Sequence, residues 1–112
     1  MKKHVMKVKE PYFGLLKNGK KTIELRLFDE KRREIEIGDE IEFHLFDNEM
    51  ESFNSKVIGL YKAKSFRELC GDIDYKKAGF ESKKELVEVL KEFYSDEKQE
   101  KYGVLGVEID FI

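Results

Sequence analysis

Residues 19–26 read Gly19-Lys20-Lys21-Thr22-Ile23-Glu24-Leu25-Arg26, a glycine turn running into an alternating strand. Side chains alternate along an extended chain, so Ile23, Leu25 and Leu27 point one way and Thr22, Glu24 and Arg26 the other. Upstream, Glu10-Pro11 opens a short helix in which Tyr12, Leu15 and Leu16 share a face. Proline suits a first turn because no hydrogen bond is lost there, and Gly19 supplies the stop. This order sets Lys20 and Lys21 just past the helix end, where the dipole favours cations. Glu24 and Arg26, two apart, are able to touch. Arg26 offers a rigid planar fork to a phosphate or a base edge, and Glu24 either pins that fork or accepts a hydrogen bond from a ligand amino group. Without a ligand, the same residues read as a lysine-rich turn and a solvated Glu/Arg pair worth little energetically.

On either side of this segment, His4 to Val8 reads as a first strand and Lys21 to Phe28 as the second. Asp29 to Glu34 is a charged connection of about one helical turn. Gly38-Asp39 marks a turn, after which Ile41, Phe43 and Leu45 alternate with Glu40, Glu42 and His44 in a half-buried strand. A polar turn near Asp47-Asn48 leads to a strand from Phe53 to about Ala63. Ser65-Phe66-Arg67-Glu68 and Ser82-Lys83-Lys84-Glu85 both carry the capping-box pattern of a helix start. The second helix places Leu86, Leu90, Phe93 and Tyr94 on one face. Ser95 opens a last short helix that ends at Gly103, and Val107, Ile109 and Phe111 alternate with Glu108 and Asp110 as a closing strand. Few consecutive strands are joined by long helices, so the sheet is expected to be mixed or antiparallel. The order fits an α+β fold: a small curled sheet or partly open β-barrel with flanking helices at its rim.

The chain's 112 residues suit one domain, here taken as residues 1–112, and 40% hydrophobic residues suffice for a core. Charged residues make up 41% and must cover the outside. The single Cys70 excludes an internal disulfide and a zinc cage. Met1-Lys2-Lys3-His4 lacks the apolar run of a signal peptide, and nothing reaches transmembrane length, so cytoplasmic residence without a membrane partner is expected. The net charge of −2 conceals a division. Residues 1–33 hold eleven Lys/Arg and four Asp/Glu, a net +7, while the rest hold eleven and twenty, a net −9. Such asymmetry makes a basic face unless folding intermixes the charges.

Residues 19–26 fit G-x-K-x-x-E-x-R, and in this the chain resembles the ASCH domain family, relatives of the PUA RNA-binding fold. The resemblance extends to Asp29-Glu30-Lys31-Arg32-Arg33 with Gly38-Asp39, to Ser65-Phe66, to Phe93-Tyr94 and to Tyr102-Gly103-Val104, and so covers nearly the whole chain. It implies a small β-barrel with a cleft between barrel and helices, lined by Lys21, Glu24 and Arg26 and exposed by the turn at Gly19. It implies RNA or a nucleotide-derived small molecule as ligand. Lys20, Lys31, Arg32 and Arg33 would extend the site as phosphate contacts, and Tyr94 or Tyr102 would either stack on a base or pack in the core.

Some small ASCH-like proteins are amidohydrolases acting on N4-acylated cytidine nucleosides, which supplies an alternative. Lys21 matches their lysine, but Glu24 stands where they have a threonine, and Thr22 is offset by two. Their later acid falls among Glu68, Asp72 or Asp74. In such an enzyme Lys21 and Glu24 would be catalytic, with Glu24 activating a water. A third class is a protein–protein adaptor that keeps the fold without a ligand. His4 and His44 lie forty apart with no carboxylate or Cys at ligand spacing, so no metal or other cofactor is expected. Cys70 reads as a small buried hydrophobe.

Overall fold

The computed structural model describes residues 1–112. Five strands, β1 (Lys3–Val8), β2 (Ile23–Leu27), β3 (Glu40–Leu45), β4 (Asn48–Ala63) and β5 (Val104–Phe111), form one curled sheet in the order β1-β3-β4-β5-β2. β1 and β3 are parallel and the other three pairs antiparallel. Helices α1 (Tyr12–Lys17), α2 (Phe66–Leu69), α3 (Lys83–Phe93) and α4 (Asp96–Tyr102) flank it, with a 3-10 turn at Arg32–Glu34. This is the mixed α+β half-barrel that the strand order predicts. No helix is long and apolar enough to cross a membrane.

Two apolar layers explain the arrangement. Met6, Val8, Phe13, Leu16, Ile41, Phe43, Val57, Leu105, Val107 and Ile109 fill the half-barrel beneath α1. Ile23, Leu25 and Leu27 of β2 pack instead with Phe66, Leu69, Phe80, Leu86 and Leu90 under the helices. The alternation of β2 therefore holds, and Glu24 and Arg26 project on the barrel side. β5 is buried from Val104 through Val107 because both of its faces are covered. Truncating a core side chain such as Leu86 to Ala would cost about 2–5 kcal/mol.

Local signals set most boundaries. Ser65 Oγ accepts from the Glu68 amide at 3.2 Å and Ser82 Oγ from the Glu85 amide at 3.0 Å. Each glutamate reaches one residue further back than a standard capping box, to the amides of Lys64 and Glu81. β4 starts earlier than expected, at Asn48 rather than Phe53, because a two-residue turn, Phe46-Asp47, joins it to β3. A bulge between Val57 and Gly59 bends β4, so that one strand pairs with β3 at one end and β5 at the other. Two expectations need correction. β2 begins at Ile23, not Lys21. α3 ends at Phe93, which is 54% exposed, so Tyr94, expected within the helix, leaves it in an extended conformation.

Candidate functional site

A double anchor turns Lys21 out of the strand. The amides of Thr22 and Ile23 both donate to the Lys77 carbonyl, at 2.8 and 3.0 Å, and the Lys21 amide donates to Leu15 O at 2.9 Å. The segment around Lys77 thus stands where a strand partner would, and Lys21 is carried inward. Its side chain is only 3% exposed. Nζ donates to Ala78 O at 2.7 Å, lies 3.3 Å from Glu24 Oε1, and sits 5.4 Å and 5.8 Å from the ring centres of Tyr12 and Phe80. Gly79, at φ +92°, leaves room for it, since a Cβ there would come within 3.2 Å of Lys21 Cδ. On a regular strand, residues three apart would face opposite ways; the anchored turn makes Lys21 and Glu24 neighbours.

Glu24 joins the two cations. Its Oε1 faces Lys21, while Oε2 accepts from Arg26 Nε at 3.0 Å and Nη2 at 2.8 Å. Arg26 Nη2 also donates to Lys7 O on β1 at 2.8 Å. Of the five N–H donors on a guanidinium, three are therefore engaged within the chain. Nη1 makes no internal hydrogen bond and is not sealed from solvent. The expected fork is thus corrected: both of its two-nitrogen edges include Nη2, and Nη2 is taken. What remains is one nitrogen with two hydrogens.

Burial is the largest single influence on each of the three charges. It pushes the Lys21 ammonium below the ordinary lysine value, with Glu24 opposing and Arg26 assisting. Burial pushes the Glu24 carboxyl up, but Arg26 and Lys21 outweigh it and hold the group below the usual carboxylate range. Desolvation likewise opposes the charge on Arg26, and Glu24 more than restores it. With all three ionised, the row carries one excess positive charge.

The row floors a cleft of about 260 Å³. Tyr12, Leu25, Phe80, Leu90 and Tyr94 form apolar walls, and Phe46 and Phe93, each about half exposed, stand at its rim with Lys7 and Lys9. Lys9 Nζ lies 4.8 Å from the Phe46 ring centre. Tyr94 packs on Phe66, with ring centres 5.8 Å apart, and burial raises its phenol pKa while Arg26 lowers it. A wider cleft of about 610 Å³ between α2, α3 and α4 mixes Lys64, Arg67 and Lys91 with Asp96 and Glu100 and contains none of these residues.

The ASCH domain model matches residues 6–112. The chain belongs to the ASCH domain family. Among solved structures, this ASCH domain is similar to the hypothetical protein PH0355, at 38% identity over 100% of both chains with a TM-score of 0.84. It is also similar to protein PF0455 from Pyrococcus furiosus, at 35% identity over 98% of this chain and 96% of that one, with a TM-score of 0.73. No curated protein sequence matches it significantly.

Lys21, Glu24 and Arg26 meet in the cleft, and of the other candidates only Tyr94 lines it. Lys20 and Lys31 are exposed, Arg32 pairs with Asp29 at 2.9 Å, and Arg33 lies over the Phe28 ring. Thr22, Glu68, Asp72 and Asp74 are also absent from the lining, which includes no Ser, Thr or Cys. Tyr102 packs against the helix-side core and Cys70 is buried within it. Each histidine pairs with a carboxylate: His4 Nε2 lies 2.8 Å from Asp39, and His44 Nε2 pairs with Glu42. No group of three metal-ligating side chains forms. The charges of the first third are partly intermixed, since Lys3, Lys7 and Lys17 pair with Glu42, Glu49 and Glu51. Sequence reading missed Lys7, Lys9, Phe46 and Phe93. Phe46, an aromatic at a polar hairpin tip, was the one with a visible signal.

Proposed function

We propose that this ASCH domain binds RNA by taking one unstacked nucleotide into the cleft on Lys21, Glu24 and Arg26. The observation that carries it is the free Nη1 of Arg26 at the floor of an aromatic-walled space. One nitrogen with two hydrogens suits a single acceptor, such as a base carbonyl or one phosphate oxygen, and the excess positive charge favours a ligand bearing an anion. Aromatic walls suit a base face. At about 260 Å³ the space is just below the usual range for drug-sized ligands, which fits one base or nucleoside and no duplex. Lys21 and Glu24 act as positioning residues that hold Arg26 in place. We further propose that residues 1–112 work as one ASCH unit in the cytoplasm.

Fluorescence anisotropy with a short labelled single-stranded RNA, at low and moderate salt, tests this. Binding should weaken with salt, and Arg26→Ala should lose about 1–3 kcal/mol while keeping its circular dichroism spectrum. RNA binding that ignores the substitution would place it elsewhere on the surface.

One observation favours the amidohydrolase alternative: the depressed pKa of Lys21, which a general base requires. Hydrolysis also needs a nucleophile, and the only hydroxyls along the cleft belong to Tyr12 and Tyr94. Glu24 is a poor candidate for activating water, because both its oxygens face cations that hold it ionised.

A further inference from the structure

Phe28 follows Leu27 but lies on the opposite side of the sheet. Leu27 packs in the helix-side core and Phe28 against the barrel core, the side on which Glu24 and Arg26 project. Two cations from distant parts of the chain sit on its ring. The guanidinium carbon of Arg33, from the 3-10 turn, and Nζ of Lys62, from β4, each lie 4.7 Å from the ring centre. Neither forms an ion pair. The nearby carboxylate of Asp29 is held by Arg32 at 2.9 Å, and Arg32 Nε is buried without a partner.

The register of the sheet places Lys62 on the same side as Arg26 by a separate route. Lys62 pairs with Leu105, and Leu105 with Arg26. Directly opposed residues share a face, so Lys62 and Arg26 project from one side, two strands and about 10 Å apart. Phe28 is two residues beyond Arg26, roughly 7 Å along the chain. Neither charge is neutralised by a carboxylate, so both are left to attract an anion that approaches Phe28.

We propose that Arg33 and Lys62, anchored on Phe28, form a phosphate subsite for single-stranded RNA whose neighbouring nucleotide occupies the cleft. This rests on the cleft reading given above and extends it: the strand's backbone is held beside the cleft as well as one base within it. Arg33 and Lys62 supply the charged contacts, and Phe28 holds both beside it.

The test compares a short single-stranded RNA with a nucleoside monophosphate, for wild type, Arg26→Ala and the double variant Arg33→Gln/Lys62→Gln. Glutamine keeps a polar side chain and removes the charge. The double variant should bind the oligonucleotide more weakly, with the slope of log affinity against log salt reduced by about 0.7 for each phosphate no longer neutralised. Its affinity for the monophosphate should stay that of wild type, whereas Arg26→Ala should weaken both. Wild-type oligonucleotide affinity and slope in the double variant would overturn the subsite while leaving the cleft intact. So would an equal loss for both ligands, which would assign the cations to the cleft's own occupant. If neither ligand binds the wild type, the cleft reading itself fails and the subsite with it.

Discussion

Replacing Glu24 by Gln removes one charge from a buried row of three while keeping the side chain's shape. Glu24 is 6% exposed, with Lys21 Nζ at 3.3 Å and Arg26 Nη2 at 2.8 Å. At an effective dielectric of about 20, the Lys21–Glu24 attraction alone is about 5 kcal/mol. Desolvation offsets most of that in the intact row, so the row itself adds little net stability. Glu24→Gln, however, leaves the Lys21 ammonium buried with only the Ala78 carbonyl as a strong acceptor. Stranding a buried charge in this way costs about 3–5 kcal/mol. Lys21→Met should cost less, about 1.5–3 kcal/mol, because Glu24 keeps Arg26. In the double variant Lys21→Met/Glu24→Gln no ammonium remains to strand, so its loss should fall short of the sum by about 2 kcal/mol. Urea unfolding of the four proteins at neutral pH, with a constant m-value, measures this directly. Additivity within about 0.5 kcal/mol would overturn this coupling, since it would mean that water already screens the row.

Three further outcomes are expected. Ser82→Ala removes the acceptor for the Glu85 amide at the start of α3 and should cost about 1 kcal/mol, read as a shift in the urea midpoint. The Asp39 carboxyl is held well below its ordinary value by the Lys2 amide, His4 and the Glu36 amide, and Glu24 is also held low. A carboxylate with a depressed folded-state pKa stabilises above its unfolded pKa, and that stability is lost as pH falls through the folded value. Unfolding free energy should therefore decline below about pH 4, and Asp39→Asn should flatten the decline; an unchanged pH profile would remove Asp39 from the account. N4-acylcytidines incubated with the protein should release no acid above background, since no Ser, Thr or Cys lines the cleft; turnover abolished by Lys21→Ala would reverse the choice between binding and hydrolysis.

Much of the fold was legible because its signals are local. Strict alternation at Ile41, Phe43 and Leu45, serines three residues before glutamates, and glycines at turns each act within one turn or strand. The site was legible in membership but not in geometry. Alternation places Glu24 and Arg26 on one face and would place Lys21 on the other. What reverses Lys21 is the Lys77 carbonyl, more than fifty residues away, and a glycine at position 79 that admits its side chain. Phe93 was placed on one face with Leu86 and Leu90 because its spacing from them is helical, but α3 ends there, which leaves its ring half exposed at the cleft. Phe46, Lys7 and Lys9 reach the cleft only because β1 pairs in parallel with β3, a long-range choice that no local pattern records.

The way Arg26 is held narrows what the cleft can recognise. An arginine with both edges free reads guanine or grips a phosphate through two parallel bonds. Here Glu24 and the Lys7 carbonyl take three of the five donors, so engaging the Nε edge would first break the ion pair with Glu24, and engaging the Nη1 edge would first displace the Lys7 carbonyl. The held arginine presents one nitrogen at a fixed point, and its position depends on Glu24, which depends in turn on Lys21. Discrimination by the floor is therefore for the presence of one acceptor at that point, with little power to separate bases that each offer a carbonyl there. Selectivity among bases must then come from the walls, where Phe46 and Phe93 are half exposed. Phe93→Ala should accordingly change the ranking of uridine-, cytidine- and guanosine-rich oligonucleotides, whereas Arg26→Ala should weaken all three alike. Base-selective loss in Arg26→Ala would show that the guanidinium swings free of Glu24 to read an edge, and the rigid-floor account would fall.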